Sequence, residues 1–299
     1  MHGGWRGAGG RGGAAVAQKI DFHCHWNGEV DLLDEWVAAE REAGLERAVV
    51  FDTHGWRGEE EHPEQVLAAA EQHPDFVVPF FNVDWADASG RTADEMKGHG
   101  FVGAKLILPP APYDDDRFFD LYEGLARNGM ICLFHTAVVA GGGSEAQMNR
   151  RDSSRRMRPV HLDRIARSFP EMPIVGAHIG YPWYAEACAI MRWHKNVWFD
   201  TSTSQLTCGR RKYIKTGPEL GAKPIIRQLY VGGDLEVKKV VYGSDTKCPM
   251  KKGESLTAYA TRLTDAAMDD LDMPAEVRRM IYHDNAAGVL ESAGIGTSV

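Results

Sequence analysis

The chemistry of this chain begins with its histidines. Residues 21–26 read Asp21-Phe22-His23-Cys24-His25-Trp26, which puts two imidazoles two positions apart. On an extended strand, positions i and i+2 share a face, so His23 and His25 can grip one ion together. His135 in "CLFHT", His178 in "GAHIG" and Asp245 in "VVYGSD" each close a short apolar run. Each signal alone is weak, since a lone His at a strand end usually only makes a structural hydrogen bond. Together, His23, His25, His135 and Asp245 form the donor set of a catalytic divalent site with one position open for water. Such an ion lowers the pKa of its water from about 15.7 to roughly 7. His178 is expected beside the ion without binding it, to polarise a carbonyl or pass a proton. Asp245 serves as both ligand and proton acceptor. One divalent ion is expected: zinc first, with manganese or iron fitting similar donors. The same alternation turns Cys24 and Phe22 outward and Asp21 inward. It also turns Trp26 outward, although the strand is expected to end there and let the indole reach the pocket rim.

Donors this far apart in sequence need a scaffold that aims them at one point. Eight apolar runs are candidate strands: 19–25, 47–53, 76–84, 101–108, 130–136, 173–180, 196–202 and 238–245. Several lack polar alternation, as strands covered on both faces do. Segments with helical spacing lie between them, for example 30–44, 63–74, 114–129, 158–170 and 182–195, and two or three more helices follow from about 255 to 291. Eight strand–helix units predict an α/β fold, a single (β/α)8 TIM barrel with extra C-terminal helices, whose catalytic groups lie at the C-terminal ends of the strands. A doubly wound sheet would usually open with a glycine-rich phosphate loop, and no GxGxxG or GxxxxGK[ST] occurs. The expected organisation is a Gly-rich flexible tail over 1–17, one barrel over 18–292, and a short tail over 293–299.

The bulk numbers fit one large domain. The 299 residues are 43% hydrophobic and carry a formal net charge of -8, which argues against nucleic acid or an anionic membrane as partner. No apolar stretch reaches the length of a membrane span. The five cysteines form no CxxC pair, which suggests a reducing, cytoplasmic setting.

The stretches "IDFHCHW" (20–26), "GAKLILP" (103–109), "CLFHT" (132–136), "AHIGYPWYAEA" (177–187), "NVWFDTS" (196–202), "VVYGSD" and "IYHDNAAGVL" (281–290) resemble, in order, the amidohydrolase superfamily. The resemblance is to its amidohydrolase-related branch, which holds aminocarboxymuconate-semialdehyde decarboxylase and γ-resorcylate decarboxylase. It implies that His23, His25, His135 and Asp245 are the metal ligands and His178 the catalytic histidine, and it suggests a homodimer. The chain departs from the pattern after Asp245, where Thr246-Lys247-Cys248-Pro249 stands, and in a long segment over about 203–237. Both departures fall where substrate is recognised.

Arginines cluster after the fifth run, Arg150 and Arg151 among them. In an acidic chain they suggest recognition of a small anionic, carboxylated substrate. Trp26, Trp56, Trp85 and Trp183 are candidate walls for a planar molecule. Lys105 joins Arg150, Arg151, Trp26 and Trp183 as a candidate substrate contact. It is read as a barrel lysine whose ammonium pairs with a carboxylate, in preference to a carboxylated lysine bridging two metals. Three activities remain open. The first is a metal-dependent hydrolase of an amide, ester or lactone. The second is a non-oxidative decarboxylase on the same site. The third is a barrel that only binds a ligand.

Overall fold

A computed structural model describes residues 18–53, 62–139, 153–202, 221–249 and 256–297. Trp56, Arg150, Arg151 and residues 1–17 lie outside them. The strands are β1 (Lys19–Trp26), β2 (Leu45–Asp52), β3 (Val77–Asn82), β4 (Gly103–Leu106), β5 (Ile131–Phe134), β6 (Ile174–Gly176), β7 (Val197–Asp200), β8 (Val240–Val241) and β9 (Thr246–Cys248). All pair in parallel, in the order β8-β7-β6-β5-β4-β3-β2-β1-β9. β8 and β9 are one stretch of chain split by a turn. Phe22 N–H donates to the Tyr242 carbonyl and Asp245 N–H to the His23 carbonyl, both at 2.9 Å, so residues 240–248 carry the sheet from β7 back to β1. The expected eighth strand therefore exists as two short pieces, and Asp245 lies in the turn between them.

Among the described residues, helices α1 (Leu33–Glu42), α2 (Pro63–Gln72), α3 (Gly90–His99), α4 (Phe119–Arg127), α5 (Leu162–Ser168), α6 (Tyr184–Trp193) and α7 (Pro224–Val231) alternate with the strands. α8 (Leu256–Asp270), α9 (Ala275–Arg279) and α10 (Asn285–Ser292) follow. Local signals set several ends. Ser89 caps α3 by accepting Thr92 N–H, and Gly100 ends it in the left-handed conformation at φ 109°. Pro63 opens α2.

Two apolar layers hold the molecule together. Ile20, Phe22, Val49, Phe51, Val78, Phe80, Ile131, Leu133, Val175 and Val241 fill the inside of the barrel. Ala286, Val289 and Leu290 of α10 join this layer, and Asn285 hydrogen-bonds the carbonyls of Val237 and Val240. α10 thus covers the end of the barrel where the strands begin. A second layer, with Cys24, Trp26, Val50, Ala104, Leu106, Cys132 and Phe134, lies between sheet and helices.

β1 corrects the simple alternation. Its register against β2 slips between Asp21 and Cys24, where three steps on β1 match two on β2. This bulge reverses the parity of residues before it. Phe22 therefore faces the barrel interior and Asp21 does not, opposite to strict alternation. His23 and His25 still face inward and Cys24 outward. Trp26 also keeps its outward parity: it is buried in the layer under the helices, with its indole N–H donated to Gln65 of α2. It does not turn to the rim, because the strand runs through residue 26.

Candidate metal centre

Polar side chains ring the inward face at the C-terminal end of the barrel, on the strands or just past their ends. Moving round it, one meets His23 and His25, then Asn82, Lys105, His135, His178, Asp200 and Asp245; β2 contributes the face of Phe51. His23, His25 and Asp245 each offer a ligand atom, all within 4.8 Å of one another. Asp245 Oδ1 lies 3.1 Å from His25 Nε2 and 3.3 Å from His23 Nε2. His25 and Asp245 are 23% and 22% exposed, against 1% for His23, so the group opens to the barrel mouth on one side.

Asp200 organises these rings. Its Oδ2 accepts His23 Nδ1–H at 2.7 Å. Its Oδ1 accepts His178 N–H at 2.8 Å, Ser202 N–H at 3.0 Å and the Ser202 hydroxyl. Burial pushes its pKa up, but the His23 imidazole and the Ser202 hydrogen bond outweigh that and hold it at about 2. The ionised carboxylate fixes the protons of its neighbours in turn. Ser202 has given its hydrogen to Asp200, so at 2.7 Å its oxygen accepts from His178 Nδ1–H. His178 Nε2 then carries a lone pair and accepts His135 Nδ1–H at 3.2 Å. Burial lowers the pKa of His178, and that of His135 still further, so both rings are neutral. What remains is a lone pair on His135 Nε2, which is buried and meets no hydrogen-bond partner among the described residues. His23 likewise keeps its proton on Nδ1 and its lone pair on Nε2.

These assignments fit a divalent cation. His23 Nε2 presents its lone pair 3.3 Å from the Asp245 carboxylate, and the Lys105 ammonium, 3.1 Å away, is the donor that meets it; a divalent cation between the two acceptors would take that place. The hold of Asp200 on His23 Nδ1 also matches metal-binding histidines, whose other ring nitrogen is held by a carboxylate or similar partner. The structure brings His23, His25 and Asp245 into one group and sets His135 against His178 beside it. His135 offers its lone pair from that neighbouring position.

The remaining expectations come out unevenly. His178 is not on a strand: β6 ends at Gly176, and His178 has left-handed backbone at φ 63°, followed by Ile179 at φ 43°. The bond from its N–H to Asp200 holds this uncommon conformation at the site. Lys105 is buried, 2% exposed, and its ammonium lies 3.1 Å from His23 Nε2 and 4.6 Å from the Phe51 ring centre. The ammonium thus meets an imidazole and a ring face where a carboxylate was expected. Burial lowers its pKa to about 8, against the pull of Asp200 and Asp245. Trp183 is half-buried beyond His178, with the Arg158 guanidinium 5.6 Å from its ring. Asp200 and Ser202 carry no role in the sequence reading, although their place at the end of the seventh run, with inward parity, was a usable signal.

The sequence profile described as amidohydrolase matches residues 20–291. No curated protein sequence matches. Among solved structures, an uncharacterised TIM-barrel protein from Bordetella bronchiseptica superposes with TM-score 0.62 at 18% identity, over 93% of this chain and 99% of that one. A 5-carboxyvanillate decarboxylase from Novosphingobium aromaticivorans, solved with manganese, gives 0.56 at 13% identity, over 94% and 99%. Dihydroorotase from Saccharomyces cerevisiae gives 0.62 at 12% identity, over 92% and 84%. At these identities the structures speak for the fold alone, a TIM barrel. The profile, which spans nearly the whole chain and its histidine cluster, goes further: the chain belongs to the amidohydrolase family of metal-dependent enzymes.

Proposed function

We propose that this enzyme is a metal-dependent hydrolase acting on a carbonyl, in an amide, ester or lactone, of a small carboxylated substrate. The observation that carries the reading is the convergence of His23, His25 and Asp245 ligand atoms within 4.8 Å at the barrel's C-terminal end, next to a histidine whose protons are already assigned. His23, His25 and Asp245 hold the ion, and His135 Nε2 is the fourth donor. A divalent ion bound there supplies Lewis-acid polarisation and an acidified water.

The protein's own groups do the rest. Burial raises the Asp245 pKa, but the imidazoles of His23 and His25 more than offset this, so its carboxylate stays ionised and accepts the water's proton. His178 is anchored through Nδ1 by Ser202, so Nε2 is the atom that meets the developing oxyanion or the leaving group. It acts there once it carries a proton and has parted from His135. Arg150 and Arg151 are proposed to reach the substrate carboxylate, and Trp183 to line the mouth.

A second reading is non-oxidative decarboxylation of a small unsaturated or aromatic acid. The same donor set would serve it, and a 5-carboxyvanillate decarboxylase shares this fold. Product analysis separates the two. A metal-reconstituted preparation is screened against amides, esters, lactones and aromatic carboxylic acids. Hydrolysis products without CO2 support the first reading, and CO2 without net hydrolysis replaces it with the second. Zinc is the proposed ion, with manganese or iron as alternatives, and metal content in the purified protein below about 0.1 per chain after reconstitution would remove the centre itself.

A further inference from the structure

We propose, resting on the metal centre proposed above, that Lys105 is a built-in competitor of the metal. On metal binding its ammonium is released from His23 to become, with Asn82, the anchor for a substrate carboxylate. Asp200 accepts a hydrogen bond from His23 Nδ1–H at 2.7 Å, so His23 has only Nε2 to offer, and Lys105 Nζ donates to it at 3.1 Å. A nitrogen lone pair serves an ammonium proton or a metal ion, not both. Ligation by His23 therefore requires Lys105 to let go.

The released ammonium cannot reach bulk water easily, since the residue is 2% exposed and is enclosed by Phe51. It is also left beside a dication, and like charges at such range repel strongly in a buried site. An anion is what restores the balance. Asn82 stands next to Lys105 in the β3–β4 register on the same inward face. Its side-chain N–H donates to the Asp52 carbonyl at 3.2 Å, and its buried Oδ1 has no hydrogen-bond partner among the described residues. That oxygen can hold one ammonium proton while the others meet a carboxylate. The preferred ligand is thus an acid whose carboxylate lies between Lys105 and the ion, and ion and acid bind with reciprocal positive coupling.

The test measures metal affinity by chelator competition, using manganese, in wild type, Lys105→Met and Lys105→Gln. Both variants are expected to bind manganese about tenfold tighter than wild type, within the usual range of site-to-site coupling. Unchanged or weaker binding in both overturns the competition. Benzoate, as a simple carboxylate probe, is expected to tighten manganese binding by wild type severalfold and to leave Lys105→Met unaffected. Equal tightening in both proteins, or none in wild type, overturns the anchor. If wild type binds no manganese or zinc, the metal centre itself fails, an outcome distinct from either of these.

Discussion

Replacing Asp200 by Asn tests the proton bookkeeping of the site most directly. Asp200 Oδ1 accepts from His178 N–H, Ser202 N–H and the Ser202 hydroxyl, while Oδ2 accepts from His23 Nδ1–H. An amide has only one acceptor oxygen, and the three-donor side claims it. The NH2 group then faces His23 Nδ1, which must accept, and the His23 proton moves to Nε2, the nitrogen that should ligate. The variant keeps nearly the same shape but presents the wrong tautomer, as occurs when the triad aspartate of serine proteases is made Asn. Restoring the ligating tautomer leaves two donors opposed, at a cost on the order of 1–3 kcal/mol. That range overlaps the roughly 10- to 100-fold loss of metal affinity typical when the group that orients a ligating histidine is removed. The assay is titration calorimetry or chelator competition with zinc and manganese at fixed pH, alongside circular dichroism to establish that the barrel is intact. A folded Asp200→Asn protein binding metal within twofold of wild type would refute the reasoning, because His23 would then not depend on Asp200 for its tautomer.

Other perturbations follow from the same geometry. His25→Ala should lose most of its bound metal by elemental analysis, whereas Cys24→Ala, which alters only the outer layer, should keep it; equal loss in both would mean that β1 is simply damaged. Burial, reinforced by the nearby Lys105 charge, lowers the His23 pKa from 6.5 to about 3, so between those values the unfolded chain binds a proton that the folded chain does not. Stability of the chelator-treated protein should therefore be full above about pH 6.5 and fall as pH drops toward 3. Thermal melts at pH 8 and pH 4.5 measure the slope, and His23→Gln should flatten it; an unchanged slope in the variant contradicts the assignment. Gly103→Ala would bring a methyl within 2.4 Å of the Phe80 ring and 2.7 Å of the Ile131 carbonyl. The expected loss is about 1–3 kcal/mol of stability, read as a lowered denaturation midpoint, and a wild-type midpoint would show that the barrel interior yields more than its packing suggests.

The barrel and the identity of its reactive face were legible in the order of residues alone. Apolar runs alternating with helical spacing specify βα units, and the strand period of two puts His23 and His25 on one face however the rest of the chain is arranged. The family resemblance carried by "IDFHCHW" and "VVYGSD" pointed the same way. The rest depends on contacts between residues far apart in the chain. The bulge in β1 is set by its pairing with β2, so the directions of Asp21 and Phe22 could not follow from alternation within one strand. The split of the eighth strand arises because its two ends bond different neighbours, β7 and β1, and this places Asp245 in a turn. Asp200 meets His23 across 177 residues of sequence and reaches His178 from the next strand, and no local pattern reports that a carboxylate will choose the tautomer of a distant ring. Lys105 was legible as an inward-facing lysine, but its competition for His23 Nε2 exists only because the closed barrel puts β4 and β1 across from each other around one small, buried space.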